Sequence, residues 1–227
     1  MNNNLLSFNS IRLEKKYYIL LIPLSFPLFL WIIHLLSRLV EIYPYKLGVL
    51  PRHLSGLIGI ITSPLIHSGY SHLISNTIPL AVMGLGIFYF YPKAAYKVFA
   101  FVYFCTGLFV WLFAREVYHI GASGIVYSFV SYLFFSGIFR RDNKSITLSL
   151  IVVFLYGGLV WGVLPGLEGI SWESHLFGAI TGIIAAFIFR KSDPIKHYDW
   201  EDEESDVPAK ELEVSYDPEK NKFLDDF

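Results

Sequence analysis

The chain alternates long apolar runs with short polar connections. Six runs of 17 to 20 residues carry almost no charge, at positions 17–36, 73–91, 98–114, 120–139, 146–164 and 172–189. A helix of about 20 apolar residues crosses the ~30 Å hydrocarbon core of a bilayer. The pattern therefore predicts an all-α, polytopic membrane protein with six transmembrane helices.

A further apolar stretch, 54–66, differs from the six in length and composition. It is shorter, and Gly56, Gly59 and Pro64 interrupt it. A stretch of that length is more typical of an interfacial or re-entrant segment than of a full span. We therefore expect the first loop, residues 38–71, to be partly embedded in the membrane.

The composition supports a membrane domain followed by an acidic tail. Hydrophobic residues make up 54% and charged residues 16% of the 227 positions, whereas soluble domains are about 25% charged. The single cysteine, Cys105, excludes a disulfide framework and a cysteine-ligated metal cluster. Residues 192–227 hold 13 acidic side chains against 4 basic ones, which is typical of a disordered segment. We divide the chain into an N-terminal segment 1–16, a membrane domain 17–191 and this tail.

The basic residues indicate how the six spans are oriented. If the N-terminus is cytoplasmic and the spans alternate, eleven Lys and Arg side chains flank the spans on the cytoplasmic side and four on the outer side. The four outer residues are Arg38, Lys46, Arg52 and Arg115. Because cytoplasmic loops are enriched in Lys and Arg, we expect both termini in the cytoplasm.

Polar side chains cluster at the start of spans two, four and six. These three spans run inward from the outer face, so their first residues lie at one membrane surface. The side chains are His72 and Asn76 in span two, Ser123 in span four and His175 in span six. At a rise of 1.5 Å per residue, we expect all four in one shallow layer. Polar residues inside spans usually face a cavity or a partner, which makes this layer the candidate site.

The residue types in this layer fit nucleophilic catalysis. A serine hydroxyl needs a base to remove its proton, and histidine is the base suited to neutral pH. Ser123 and His175 are therefore the candidate nucleophile and general base. Acyl transfer also needs donors aimed at the oxyanion. The candidates are the Ser123 N–H, His72 and Asn76, of which the last two share one helix face because they are four residues apart.

Glycine patterns near the layer fit either catalysis or helix packing. Gly121 and Gly124 would permit a tight turn and the close approach of a peptide at Ser123. Patterns of small residues at this spacing also occur where membrane helices pack. Gly178 and Gly182 fit packing, with span six lying close to span four.

A metal site and a transporter are the rival interpretations. His67, His72 and His175 could be imagined as zinc ligands, but the chain has no HExxH motif. Proton-coupled transporters usually carry an acidic residue within a span, whereas the middles of these spans hold none. We therefore expect neither a metal nor a cofactor.

Together the motifs resemble the rhomboid intramembrane serine proteases, in the basic six-span form common in bacteria. The resemblance covers about residues 17–191. The matching pieces are His67 with His72-x-x-x-Asn76, Gly121-Ala122-Ser123-Gly124 with Tyr127, and His175-x-x-Gly178-x-x-x-Gly182. Each motif alone is weak evidence, whereas the three together, in this order on spans two, four and six, are highly specific for the family.

The resemblance implies a six-helix rhomboid-like bundle and a function. Ser123 would be the nucleophile and His175 the base of a dyad without an acidic third member, and Tyr127 would pack against the His175 ring. His72, Asn76 and the Ser123 N–H would form the oxyanion hole. The substrates would be transmembrane proteins in the lipid bilayer, cleaved near the outer face of a bacterial inner membrane, and no nucleic-acid partner is expected. The alternative is a non-catalytic relative that binds membrane proteins.

The first loop departs from the family pattern. Many rhomboid proteases carry a Trp-Arg pair there, shortly before the position that matches His67. In this chain Ile58 and Gly59 occupy those positions. Arg52 and Arg115 are the candidates for anchoring the loop instead.

Overall fold

Six long helices and one short helix make up most of the computed structural model, which describes residues 21, 23–42, 44–166, 169, 171–195, 215–217 and 222–224. The helices are α1 (Pro23–Leu39), α2 (Gly59–Thr62), α3 (Tyr70–Phe90), α4 (Ala95–Phe113), α5 (Ser123–Arg140), α6 (Asn143–Tyr156) and α7 (Trp172–Phe189). Short 3-10 segments lie between α1 and α3, and another continues α6 over Gly157–Val163.

The long helices form a membrane bundle. By length and composition, α3, α4, α7 and α6 with its 3-10 extension could each cross a membrane. The described part of α1 is a shorter apolar helix, and the predicted first span begins outside the described residues. Helix α5 is less apolar than these, because it contains four serines and Arg140. It lies among the other helices and contacts α3, α4, α6 and α7. The predicted all-α polytopic bundle is confirmed.

Glycines explain two of the differences between the helix bounds and the predicted spans. The predicted span 172–189 coincides with α7, but α5 begins at Ser123 rather than at 120. Gly121 has a φ of 104°, a conformation that ends regular helix and that favours glycine. The α-helical part of α6 stops before Gly157 and Gly158, because paired glycines have low helix propensity.

The backbones of α5 and α7 pack directly against each other. A Cβ atom at Gly178 would overlap the carbonyl oxygen of Gly124, and one at Gly182 would overlap that of Ser128. The absence of these side chains lets the two helix backbones touch. The predicted packing role of Gly178 and Gly182 is confirmed.

Buried hydroxyl groups reinforce this contact. Thr181 Oγ1 lies 2.7 Å from Thr106 Oγ1 and 3.0 Å from Ser128 Oγ. Ser128 and Thr181 also donate to the carbonyl oxygens of Gly124 and Gly178. Every one of these buried polar groups is therefore hydrogen-bonded, as buried polar groups must be to avoid a desolvation cost, and together they tie α4, α5 and α7.

Arg52 anchors the first loop to the end of α4. Its Nη1 atom donates to the carbonyl oxygen of Ala114 at 2.6 Å, and its backbone N–H donates to that of Trp111 at 2.9 Å. The Trp111 indole in turn donates to the carbonyl oxygen of His53 at 2.9 Å. Of the two candidate arginines, Arg52 holds the loop, while Arg115 pairs with α7 as described below.

A polar cluster closes the end of the bundle where α5 and α7 finish. The Asp142 carboxylate caps α6 by accepting from the Ser145 N–H at 3.1 Å and lies 3.1 Å from Arg140 Nε. Burial acts to raise the pKa of Asp142, but the Ser145 hydrogen bonds and the Arg140 charge lower it below its ordinary value. Asp193 accepts two backbone N–H groups at the start of α4, at 2.9 and 3.0 Å.

The chain divides into two compact units, of which the membrane bundle ends at Pro194. In the second unit, Ile195–Phe227, strand β1 (Ser215–Asp217) pairs antiparallel with β2 (Lys222–Leu224). The other residues of the acidic tail from 196 onward, like the N-terminal segment 1–16, lie outside the described residues. The predicted disorder of the tail stays a prediction.

Replacing Gly178 by alanine should destabilise the protein, because the new methyl group would force α7 away from α5. We expect a cost of about 1–3 kcal/mol in the free energy of unfolding, measured by denaturant titration in detergent. Gly86→Ala is the matched control, since a Cβ at Gly86 in α3 would meet only Leu133 Cδ1 at an ordinary 3.7 Å. Equal stability of the two variants would contradict the close contact.

Candidate active site

A cavity of about 900 Å³ opens at the end of the bundle where α3, α5 and α7 begin. Its lining includes His72, Asn76, Ser123, Tyr127 and His175. These residues come from three different helices and are up to 103 positions apart in the chain. The side chains that the sequence assigns to one layer thus meet in one cavity.

Ser123 is the first residue of α5 and follows a tight turn. Gly121 supplies the positive φ that the turn requires, and its N–H donates to the carbonyl oxygen of Ser63 at 2.8 Å. The first N–H groups of a helix have no partner inside the helix. Within the described residues, neither the N–H nor the hydroxyl of Ser123 makes a hydrogen bond. Both groups are therefore available to a molecule in the cavity.

His175 is held between an aromatic ring and a carbonyl group. Its imidazole stacks on the Tyr127 ring with 4.2 Å between ring centroids and 8° between the ring planes. Its Nδ1 atom lies 2.8 Å from the carbonyl oxygen of Gly162. The stacking agrees with the expectation for Tyr127, whereas Gly162 was not among the predicted site residues.

His72 and Asn76 lie against the turn that precedes Ser123. A Cβ at Gly121 would come within 2.6 Å of His72 Nε2 and 3.8 Å of Asn76 Nδ2. Ser68 Oγ lies 3.2 Å from His72 Nδ1, and if the hydroxyl donates there, the proton of the neutral ring is on Nε2. Asn76 Nδ2 donates one proton to the carbonyl oxygen of His72 at 3.0 Å, and its amide has a second proton.

His67 lies behind the cavity and not in its lining. Its ring centroid is 5.0 Å from that of His72, and its Nε2 accepts from the Ala122 N–H at 3.4 Å. Burial, together with the proximity of His72 and His34, lowers the pKa of His67 to about 3. The neutral ring can accept the Ala122 N–H, so His67 supports the turn before the serine.

A second polar network fixes the start of α7. His119 Nε2 donates to the carbonyl oxygen of Arg115 at 3.0 Å, and His119 Nδ1 lies 2.6 Å from Ser171 Oγ. Ser171 Oγ is 2.6 Å from Ser174 Oγ, and Arg115 Nε is 2.8 Å from the buried Glu173 carboxylate. No motif in the sequence signals this network, because its residues are far apart and individually common.

His119 also connects this network to the first loop. Its backbone forms two hydrogen bonds of 2.9 Å with Val49, which create an isolated antiparallel bridge. Burial lowers the pKa of the His119 ring. Among the described residues, no group of three or more His, Cys, Asp and Glu side chains is arranged to hold a metal ion.

Comparison with known proteins identifies the family. The Rhomboid domain matches residues 54–192, which hold every helix from α2 to α7. The chain belongs to the rhomboid family. The recognition made from the motifs of spans two, four and six is therefore confirmed, and the chain is an integral membrane protein.

Similar proteins occur in mycobacteria. Uncharacterized proteins of Mycobacterium bovis and Mycobacterium tuberculosis are each 33% identical to this rhomboid protein over 174 residues, which is 73% of this chain and 72% of theirs. An uncharacterized protein of Mycobacterium leprae has the same identity over 174 residues, or 69% of its length. All three relatives are uncharacterized, so the similarity assigns no activity to this chain.

The lowered pKa of His67 should make the protein sensitive to acid. Above the ordinary histidine pKa of about 6.5 the ring is neutral in both states, and below it only the unfolded chain takes up the proton readily. The free energy of unfolding is therefore unaffected by protonation of His67 above pH 6.5. It decreases as the pH falls from 6.5 toward 3, because protonation of His67 then favours the unfolded chain. At pH 5 the loss is about 2 kcal/mol.

A His67→Gln variant tests this pH dependence, because glutamine keeps an acceptor for the Ala122 N–H and does not titrate. Between pH 7 and pH 5, the free energy of unfolding should fall by about 2 kcal/mol less in this variant than in the wild type. His53→Gln, at a histidine whose side chain is 47% exposed, is the control. Identical pH dependence of wild type and His67→Gln would refute the assignment.

Proposed function

We propose that this rhomboid protein is a serine endopeptidase that cleaves transmembrane proteins with a Ser123–His175 dyad. The observation that carries the proposal is that a serine at a helix start and a histidine stacked on Tyr127 share one cavity with two further donors. Catalytic hydrogen bonds are often long before substrate binds, which agrees with the unbonded Ser123 hydroxyl.

The proposed reaction has two stages. His175 takes the proton of Ser123 Oγ while this oxygen attacks the peptide carbonyl, and the same histidine then protonates the leaving amine. Water hydrolyses the resulting acyl-enzyme with His175 again as the base. The negative oxygen formed in each stage would accept from the Ser123 N–H, His72 Nε2 and Asn76 Nδ2.

The proposed substrate and location rest on the membrane context of the site. The distribution of basic residues favours cytoplasmic termini, and with that orientation the cavity would open near the outer face of a bacterial inner membrane. A substrate helix would have to unwind there for its backbone to reach Ser123, and the cavity would admit the water for hydrolysis. A binding role without catalysis would use the same bundle but would not need an activated serine.

Replacing Ser123 by alanine should abolish cleavage of a tagged single-span substrate, because no nucleophile remains. Loss of about 10⁴-fold or more is expected, measured by product formation in membranes at matched expression, and His175→Ala should behave alike. Ser131→Ala, on the same helix and similarly half-buried, is the control and should cleave normally.

A fluorophosphonate probe separates catalysis from a binding role. The wild type should be labelled and Ser123→Ala should not be, since only an activated serine reacts. Labelling without cleavage would mean that the chosen substrate is wrong. Absence of both labelling and cleavage in the folded wild type would refute the protease proposal and favour the binding role.

Replacing His72 or Asn76 by alanine should slow the chemical step, because each removes one oxyanion donor. A fall of about 10²- to 10³-fold in kcat with a smaller change in KM is expected. Ser75→Ala is the control, since this exposed hydroxyl donates to the His72 carbonyl within α3 at 2.9 Å. A rise in KM with unchanged kcat would show that the two side chains bind substrate instead.

A further inference from the structure

The partner of His175 Nδ1 determines which ring nitrogen carries the proton. The Gly162 carbonyl oxygen, 2.8 Å away, can only accept a hydrogen bond. Nδ1 must therefore be the protonated nitrogen, and Nε2 of the neutral ring has its lone pair free. A general base needs this tautomer, because Nε2 is the atom that takes up the serine proton.

The sequence after Gly162 removes the donor that this carbonyl would meet in a regular 3-10 helix. In a 3-10 helix each carbonyl accepts from the N–H three residues later, as Trp161 does from Leu164 at 3.3 Å. The residue three positions after Gly162 is Pro165, which has no N–H. The carbonyl oxygen is thus free to accept from His175.

Position 162 also requires glycine because the Tyr127 ring, on which His175 stacks, lies directly beside it. A Cβ at residue 162 would overlap the Tyr127 hydroxyl and would lie 3.3 Å from His175 Nδ1. By contrast, a Cβ at the nearby Gly158 would meet nothing within 4 Å. Glycine at 162 therefore allows the carbonyl to approach a histidine that is already stacked on Tyr127.

We propose that the Gly162 carbonyl is a positioning group of this active site, which holds His175 in the Nδ1–H tautomer where a serine protease triad uses a carboxylate. The inference rests on the proposed function, because it assigns a role within that reaction. Ser123, His175 and Gly162 belong to α5, α7 and the 3-10 extension of α6, so the base is oriented only while all three segments are packed together.

The test measures the tautomer directly as well as the activity. Full-length protein with ¹⁵N-labelled histidine is examined in bilayers by solid-state NMR, and the His175 signals are assigned by their loss in His175→Gln. The wild type should show a protonated Nδ1 and an unprotonated Nε2. A protonated Nε2 in the neutral ring of the wild type would overturn the proposal.

Gly162→Ala should weaken both the tautomer preference and cleavage. The displaced carbonyl should let the Nε2–H form appear and should lower kcat by about 10²-fold, as small misplacements of catalytic groups do, with KM changed less. Gly158→Ala, in the same 3-10 segment, is the matched control and should resemble the wild type. An unchanged tautomer and rate in Gly162→Ala would overturn the proposal.

Pro165→Ala tests the same contact without adding a side chain beside Tyr127. The restored N–H would compete for the Gly162 carbonyl, so the tautomer and kcat should change in the same direction as in Gly162→Ala, but less. If the wild type showed the Nδ1–H tautomer and cleaved no substrate and bound no probe, the tautomer assignment would stand and the protease proposal would fail.

Discussion

Direct contact between the backbones of α5 and α7 is the constraint on which the candidate site depends. Gly178 and Gly182 on α7 lie against carbonyl groups of Gly124 and Ser128 on α5. Since Ser123 begins one of these helices and His175 lies near the start of the other, the helix spacing sets the distance between them. Residues that pack the bundle therefore also place Ser123 and His175, the proposed catalytic pair, and a methyl group at either glycine would change both the packing and this placement.

Polar groups around the site show how the bundle maintains a cavity in an apolar surrounding. Burying a polar group without a compensating contact is costly, and two of the buried polar side chains near the site each make a contact that fixes a helix start. His67 accepts from the turn before Ser123, and Glu173 pairs with Arg115 at the start of α7. The two networks hold the starts of α5 and α7 through the first loop and the loop after α4.

Much of the fold could be predicted because the bilayer imposes length and apolarity on each span. The span 172–189 coincides with α7, and the motif residues of three helices meet as their position along the spans indicates. The contact of Gly162 with His175 could not be predicted by the same reasoning, whereas Gly157 and Gly158 are a local signal for the early end of α6. The contact depends on a 3-10 segment whose position follows from tertiary packing, and Pro165 signals only that the Gly162 carbonyl lacks its 3-10 donor.

A neutral acceptor beside the histidine suits a site at membrane depth. A carboxylate in that place would have to be desolvated, and charged groups inside the membrane are costly unless they are paired. The Gly162 carbonyl orients the ring through a hydrogen bond without adding a charge, and stacking on Tyr127 limits rotation of the ring. In a triad, the carboxylate both orients the histidine and stabilises the charged imidazolium. Here the two contacts orient the ring, while only dipoles, which are weaker than a charge, stabilise the imidazolium. On this argument the proposed dyad of Ser123 and His175 lacks an acidic third member because burying a carboxylate there would be costly.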